Sequence, residues 1–349
     1  MYSREKHRQP NSTAHRKLRS RSKMSVVKTV LYLIANIASS ITIILLNKWI
    51  YSQKIFPNIS LTMVHFIATF CSLCVCEKLN FFNVKSVNVH QLVTLSLCFC
   101  GFVVFTNLSL EYNSVGAFQV AKVMTTPGVM IIQSFRGKQF SHSVKFATVP
   151  IVVGVILCFS YDIRFNTVGT VFATLGVIVT SFYQVLVNSK QAEMQLNSMQ
   201  LLFYQAPLSA FLLCLCIPFL EPEIVTTFLH HWTLTEVCFI TISCLAAVLV
   251  NLTTYWILGN TSPLTYFFYI PCFWYNFPII TLFRYNMVGH MKFVLIMLGG
   301  WYLYDREMSQ NQWFGVCLTL FGLIVYTHIK IKENEARITS PTEIRTEKN

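Results

Sequence analysis

The sequence predicts an all-α, polytopic membrane protein with ten transmembrane helices arranged as two inverted five-helix repeats. Of its 349 residues, 54% are hydrophobic and only 12% are charged. This composition is typical of a multi-pass membrane protein and not of soluble domains. Apolar runs long enough to cross a bilayer recur along the chain, with polar loops between them. Basic residues collect on one side of this array, which gives it an orientation.

Ten apolar runs have a length suited to a transmembrane helix. They cover residues 27–50, 59–77, 91–110, 114–135, 145–161, 166–188, 199–219, 236–258, one segment within 263–304, and 312–330. A basic tail, expected to be disordered and cytosolic, precedes them, and a second cytosolic tail follows. The resulting divisions are a tail at 1–26, a first repeat at 27–161, a second repeat at 165–331 and a tail at 332–349.

The distribution of Lys and Arg predicts the topology. With the N-terminus in the cytosol, 20 of the 27 basic residues fall on the cytosolic side and three on the opposite side. The other four, Lys48, Lys122, Arg284 and Lys292, lie inside apolar segments. The positive-inside rule then makes both termini cytosolic, which requires an even number of spans. The basic N-terminal tail has no aromatic stacking pattern, so we expect no nucleic-acid partner.

Lys122 is the residue around which the chain is organised. It lies near the middle of the apolar run 114–135, where a cation costs several kcal/mol, so a functional role is expected. Gln119 and Thr126 are three and four residues away and share its helical face. The alternative is a lysine that extends to the membrane surface, but its central position argues against that.

The lysines inside the spans have no obvious internal counter-ion. Every Asp and Glu lies in a tail, in a loop or at the edge of a span. Lys48, Lys122 and Lys292 are therefore predicted to line a cavity that receives an anion.

Weak internal similarity supports two repeats. Three short matches occur in the same order in both halves: 58–65 with 197–204, 107–109 with 251–253, and 113–114 with 260–261. His65 and Tyr204 then lie at matching depth, and Lys122 and Lys292 occupy spans 4 and 9. Because each half holds an odd number of spans, the halves must be inverted, as in secondary transporters. His65 fits either substrate contact or an interhelical hydrogen bond.

Several classes of protein are disfavoured by the same residues. The cysteines fall in apolar runs without histidines at ligand spacing, which predicts neither a metal site nor a disulfide framework. Paired acids within the spans are absent, so we expect no catalytic residues, no enzyme activity and no cofactor. The even span count argues against a seven-helix receptor.

Four motifs resemble the triose-phosphate and nucleotide-sugar translocators of the drug/metabolite transporter superfamily. They are Leu46-Asn47-Lys48-Trp49, Phe105-Thr106-Asn107-Leu108-Ser109-Leu110, Ala121-Lys122 with Thr125-Thr126-Pro127, and Gly289-His290-Met291-Lys292. Within that family the segment 198–207 is similar to subfamily E of solute carrier family 35. The resemblance covers roughly residues 30–332 and implies ten spans, a central cavity and exchange of phosphorylated or nucleotide-linked sugars.

The resemblance also implies roles for individual residues. Lys122 and Lys292 match lysines that hold phosphate in triose-phosphate carriers, and Lys48 matches a lysine near that site. Tyr204 and Gln205 stand where related carriers contact the sugar or base. Phe293 replaces the arginine of triose-phosphate carriers, which favours a nucleotide sugar.

These observations together predict a transporter of the Golgi or endoplasmic reticulum membrane that exchanges nucleotide sugars for nucleoside monophosphate. Two alternatives stay open: a carrier of smaller phosphorylated metabolites, and a scaffold or receptor that does not transport. The expected partners are the anionic substrate and the lipid bilayer, with a second copy of the chain as the candidate protein partner.

One segment departs from the family pattern. Related chains pass directly from the match to 262–266 into Asn286-Met287, whereas residues 267–285 intervene here. Pro271 and Pro278 would break a helix in this segment, and a further crossing would put the basic C-terminal tail on the wrong side. We therefore expect an exposed, aromatic excursion without an added span, followed by a helix that starts near Asn286.

Overall fold

A computed structural model describes residues 12–87, 89–161, 166–224, 227, 229, 232–260, 285–304 and 309–339. Helices dominate these residues, and none of them forms a strand. The eleven helices of the described chain are α1 Ser12–Ser52, α2 Asn58–Lys78, α3 Val89–Tyr112, α4 Val115–Val123, α5 Thr125–Phe135, α6 His142–Ser160, α7 Thr167–Met194, α8 Ser198–Leu220, α9 Leu234–Asn260, α10 Tyr285–Tyr304 and α11 Gln310–Thr339.

The protein is an all-helical polytopic membrane protein. Nine candidate spans, each long and apolar enough to cross a bilayer, lie within the described residues. They begin and end within a few residues of nine of the predicted runs, with α4 and α5 together forming the span Val115–Phe135. The 20-residue helix α10 occupies the remaining predicted position, and its residues Lys292–Tyr304 form a shorter apolar segment. It starts at Tyr285, one residue before the predicted start.

The segment 267–285, predicted to form an excursion, lies outside the described residues except for Tyr285. Residues 261–284 lie outside the described residues, so the predicted excursion and the absence of an extra crossing stay predictions.

Span 4 is broken at Met124, between α4 and α5. Pro127 lacks an N–H group, so the carbonyl of Val123 loses its usual partner four residues on. The N–H group of Met124 donates to the carbonyl of Ala121, three residues back, at 3.0 Å. The hydroxyl of Thr125 donates to the carbonyl of Lys122 at 2.9 Å. The break therefore lies next to the lysine that the sequence singles out.

The helices pack in pairs around a central space. α1 packs against α9, α2 against α8, α3 against α7, and α6 against α11. Directly after the C-terminal end of α8, the Glu221 carboxylate accepts hydrogen bonds from the backbone N–H groups of Ile59 and Ser60 at 2.6 and 2.9 Å. Both N–H groups belong to the first turn of α2, where they have no acceptor within the helix and where a negative charge is favoured.

Glycines allow the close contact between α6 and α11. A Cβ atom on Gly154 would lie 2.6 Å from the backbone oxygen of Gly315 and 2.7 Å from the backbone nitrogen of Thr319. A backbone cannot yield as the tip of a side chain can, so these two helices would have to separate. Gly176 on α7 differs, because the nearest atom to its added Cβ is 3.5 Å away, an ordinary contact.

We predict opposite effects of alanine at these two glycines. Gly154→Ala lowers the free energy of unfolding by about 1–3 kcal/mol through overpacking. Gly176→Ala raises it by about 0.5–1 kcal/mol, because alanine loses less backbone entropy in a helix. Thermal unfolding of the purified protein in detergent measures both changes. Equal behaviour of the two variants would contradict the assigned α6–α11 contact.

Candidate functional site: a polar cavity between the helices

A cavity of about 560 Å³ lies among the helices. Its lining comes from both halves of the chain, from α1 to α5 in the first half and from α9, α10 and α11 in the second. The lining combines aromatic and aliphatic side chains with amides, hydroxyls and two lysines. Apolar walls with a few polar groups are the usual composition of a small-molecule site.

Lys122 projects into this cavity from the last turn of α4. Its side chain keeps accessible surface although it lies among packed helices, because the space in front of it is open. The nearest assigned interaction is with the ring of Phe118, whose centroid lies 5.6 Å from Nζ. Among the described residues it has no hydrogen-bond or ion-pair partner, so the ammonium group is free to meet a ligand.

Lys292 reaches the same cavity from α10. Its Nζ donates to the side-chain oxygen of Asn36 on α1. The amide nitrogen of Asn36 donates in turn to the hydroxyls of Thr253 and Thr254 on α9, both at 2.8 Å. Asn36 therefore holds the ammonium group through one neutral contact and leaves its charge uncompensated. Asn36 could not be selected from the sequence, because the residues that bond it lie more than 200 positions away along the chain.

His65 also lines the cavity and is held by a chain of hydrogen bonds. The Ser243 hydroxyl donates its single proton to the side-chain oxygen of Asn47. It must then accept from His65, whose Nε2 lies 2.9 Å from the Ser243 oxygen, so Nε2 carries a proton. This places His65 at the cavity and in an interhelical contact at once, the two roles considered from the sequence.

Gln119 and Thr126 complete the predicted face of span 4. Both line the cavity together with Lys122. Gln119 is only 5% exposed, and no described residue accepts a hydrogen bond from its side-chain nitrogen. A buried donor without a partner costs free energy, and a ligand acceptor could recover it.

Lys48 lies away from the cavity lining. It is 4% exposed, and its Nζ donates to the carbonyl oxygens of Leu110, Glu111 and Asn113 at 2.9, 2.7 and 2.7 Å. These carbonyls end α3, where a helix lacks internal donors and favours a cation. All three ammonium hydrogens are used, so the contacts assign Lys48 to fixing the end of α3.

Tyr204 and Gln205 also lie apart from the cavity lining. The Tyr204 hydroxyl donates to the carbonyl of Lys85 at 2.8 Å. Gln205 is fully buried, and its side-chain oxygen accepts from Tyr183 at 3.2 Å. Both contacts join α8 to neighbouring segments. The structure thus brings together His65, Gln119, Lys122, Thr126 and Lys292.

The charge of the cavity is positive. As far as the described residues line it, the cavity has two ammonium groups and neither Asp nor Glu. The described residues also contain no cluster of His, Cys, Asp and Glu suited to a metal ion. In a low-dielectric environment two uncompensated cations favour an anionic ligand strongly.

These features describe a multi-pass membrane protein with a cavity among its helices that is lined by two lysines. UDP-xylose transporter 1 of Arabidopsis thaliana is 31% identical over 300 residues, which cover 85% of this chain and 82% of the relative. UDP-rhamnose/UDP-galactose transporter 1 of the same plant is 28% identical over 311 residues, covering 87% and 84%. The chain therefore belongs to the nucleotide-sugar transporter family, and it is a transporter, not an enzyme.

The fold also occurs in a solved structure. A protein crystal structure superimposes with a TM-score of 0.55, covering 87% of this chain and 99% of the other at 15% sequence identity. No family model matches the chain.

We predict that Lys48 stabilises the protein without binding substrate. Lys48→Met leaves three carbonyl groups without their donor and lowers the free energy of unfolding by about 2–4 kcal/mol. Ligand affinity per folded molecule stays unchanged. Lys54→Met, at an exposed lysine near the same end of the bundle, is the matched control and has little effect on stability. Loss of affinity in folded Lys48→Met protein would instead place this lysine in the binding site.

Proposed function

We propose that the protein is an antiporter that exchanges nucleotide sugars, of the UDP-sugar class, for nucleoside monophosphate. The observation that carries this proposal is the pair of lysines, Lys122 and Lys292, in one cavity to which the described part of the chain contributes no carboxylate. A nucleotide sugar brings a diphosphate to neutralise them and uncharged groups to fill the rest. The UDP-sugar transporters among the relatives support the UDP class.

In this proposal the two lysines clamp the diphosphate. Lys122 is free to approach it, and Lys292 needs only to exchange the neutral oxygen of Asn36 for a phosphate oxygen. Gln119 supplies its unused N–H group, while Thr126 and His65 offer further polar contacts. The diphosphate is thereby taken from water into a site that replaces its hydration with charged and neutral donors.

The proposed transport cycle uses ten spans in two inverted halves that alternate around the cavity. Lys122 comes from the first half and Lys292 from the second, so a bound anion draws both halves together. The break in span 4 lies beside Lys122, and irregular backbone at a midplane site is a common feature of secondary transporters. We propose the Golgi or endoplasmic reticulum membrane as the location, and membership of solute carrier family 35, subfamily E.

A smaller phosphorylated metabolite fits the cavity less well. Phe293, which follows Lys292 where triose-phosphate carriers have arginine, is 4% exposed and packs among Val120, Val155 and Met297. That position therefore gives no second cation for a terminal phosphate. A scaffold without transport leaves the cost of the buried lysines unexplained.

We predict that Lys122→Ala and Lys292→Ala each reduce the affinity for UDP-xylose by about tenfold to a hundredfold. A charge-assisted contact to phosphate contributes about 1.5–3 kcal/mol, which corresponds to that range. Uptake of labelled UDP-xylose and UDP-galactose into proteoliposomes preloaded with UMP measures the effect. Lys145→Ala, at an exposed lysine of α6, is the control. Unchanged uptake by correctly folded lysine variants would contradict the proposal.

We predict that both termini face the cytosol. Epitope tags at the two ends become accessible to antibody when only the plasma membrane is permeabilised. This result follows from the concentration of basic residues on one side of the array and from an even number of spans. A C-terminal tag detected only after the internal membranes are opened would rule out the ten-span arrangement.

A further inference from the structure

Two asparagines that line the cavity, and that are not part of the proposed lysine clamp, are each hydrogen-bonded to α2. Asn107 on α3 and Asn251 on α9 both line the cavity and belong to the matching tripeptides of the two halves. Each is partly buried, and each donates its amide nitrogen to a threonine of α2. The bond from Asn107 to Thr62 is 2.8 Å long, and the bond from Asn251 to Thr69 is 3.1 Å long.

The hydrogen bonds of Thr62 fix the orientation of the Asn107 amide. The Thr62 hydroxyl donates its only proton to the backbone oxygen of Asn58 at 2.8 Å. It can therefore only accept from Asn107, so the nitrogen of that amide must face Thr62. The amide oxygen then faces away from α2, and no described residue donates to it. The Asn251 amide nitrogen donates to the Thr69 hydroxyl, and no described residue donates to the Asn251 side-chain oxygen.

The two asparagines and the two lysines belong to different walls of the cavity. Lys122 and Lys292 come from α4 and α10, which pack against each other. Asn107 and Asn251 come from α3 and α9, which both pack against α2. One wall therefore offers positive charge, and the other offers neutral acceptor oxygens. An amide oxygen does not attract phosphate, but it accepts hydrogen bonds from a hydroxyl or an imide N–H.

We infer that Asn107 and Asn251 select the uncharged part of the substrate by accepting hydrogen bonds from its O–H or N–H donors. This inference rests on the proposed function and assigns selectivity to residues other than the phosphate clamp. Donors of this kind occur in a nucleotide sugar as the hydroxyls of the sugar and as the imide of a uracil base. Since each asparagine nitrogen is held by α2, the acceptor oxygens are positioned before the ligand arrives, which lowers the entropic cost of binding.

The test compares ligands that differ in their uncharged parts. Binding of UDP-xylose, UDP and inorganic pyrophosphate to the full-length protein in detergent is measured for the wild type and for Asn107→Leu and Asn251→Leu. Loss of one neutral hydrogen bond weakens binding by about threefold to tenfold. We expect this loss for UDP-xylose, with pyrophosphate unaffected. A loss confined to UDP-xylose identifies the xylose hydroxyls as the donors, whereas an equal loss for UDP identifies the nucleoside, through its ribose hydroxyls or its uracil imide.

Controls separate recognition from packing. Thr62→Val and Thr69→Val remove the interhelical bond but keep each asparagine, so they lower the melting temperature and reduce the preference for UDP-xylose over pyrophosphate less than the leucine variants do. Asn107→Ser and Asn251→Ser replace the leucine variants if those do not fold. Lys122→Ala weakens all three ligands. Asparagine variants that weaken pyrophosphate equally, that change nothing, or that are reproduced by the threonine variants overturn the inference.

Failure of the proposed function gives a different result. In that case the wild type itself binds neither UDP-xylose nor UDP, and the inference fails with it. A wild type that binds both, combined with asparagine variants of unchanged selectivity, overturns the inference alone.

Discussion

The cost of placing uncompensated positive charge among apolar helices is the constraint on which the rest of this structure depends. Moving an ammonium group from water into a low-dielectric interior costs several kcal/mol unless something compensates for it. The protein meets this cost in two ways. Lys48 gives all three of its protons to the carbonyl end of α3. Lys122 instead faces an open cavity, and the only described partner of the Lys292 ammonium group is the neutral Asn36.

That difference separates a structural lysine from candidate binding lysines. The ammonium group of Lys48 lies at the negative end of a helix dipole and donates to three fixed acceptors, so it has no hydrogen left to donate to a ligand. The ammonium group of Lys122 can still donate hydrogen bonds to a ligand, because the described residues provide it with neither a carboxylate nor a carbonyl partner. An anion entering the cavity supplies the missing compensation. The contacts that compensate Lys48 thus stabilise the fold, whereas the uncompensated charge of Lys122 favours a ligand.

The polar contacts around the cavity show how neutral groups are kept in position. Asn36 ties α1 to α9 and α10, the bonds from His65 through Ser243 to Asn47 tie α2 to α9 and α1, and two asparagines tie α3 and α9 to α2. Asn36 uses both ends of its amide in these contacts, whereas Asn107 and Asn251 use only the amide nitrogen. In an apolar surrounding such groups rarely stay unpaired, so their hydrogen bonds define both the packing and the shape of the site.

Much of the fold could be predicted because span length and apolar composition are local properties. The bilayer requires about 20 apolar residues per span, and nine spans within the described residues fulfil that requirement near the predicted positions. The break of span 4 could not have been predicted from Pro127 alone, since Pro150, Pro207 and Pro218 lie inside the undivided helices α6 and α8. Lys122, Gln119 and Thr126 were predictable as one face of a helix from their spacing alone.

The sequence by itself therefore determined an all-helical membrane protein with lysines at membrane depth. Only the tertiary structure decided which lysine is free. Lys48 and Lys122 look alike in sequence, since each is a cation in an apolar run without a nearby acid. Their fates differ because the end of α3, more than 60 residues away along the chain, lies beside Lys48, and open space lies beside Lys122. Tyr204, Gln205 and Asn36 follow the same rule, because the partners that define a buried polar group come from other helices, and helix packing alone brings them together.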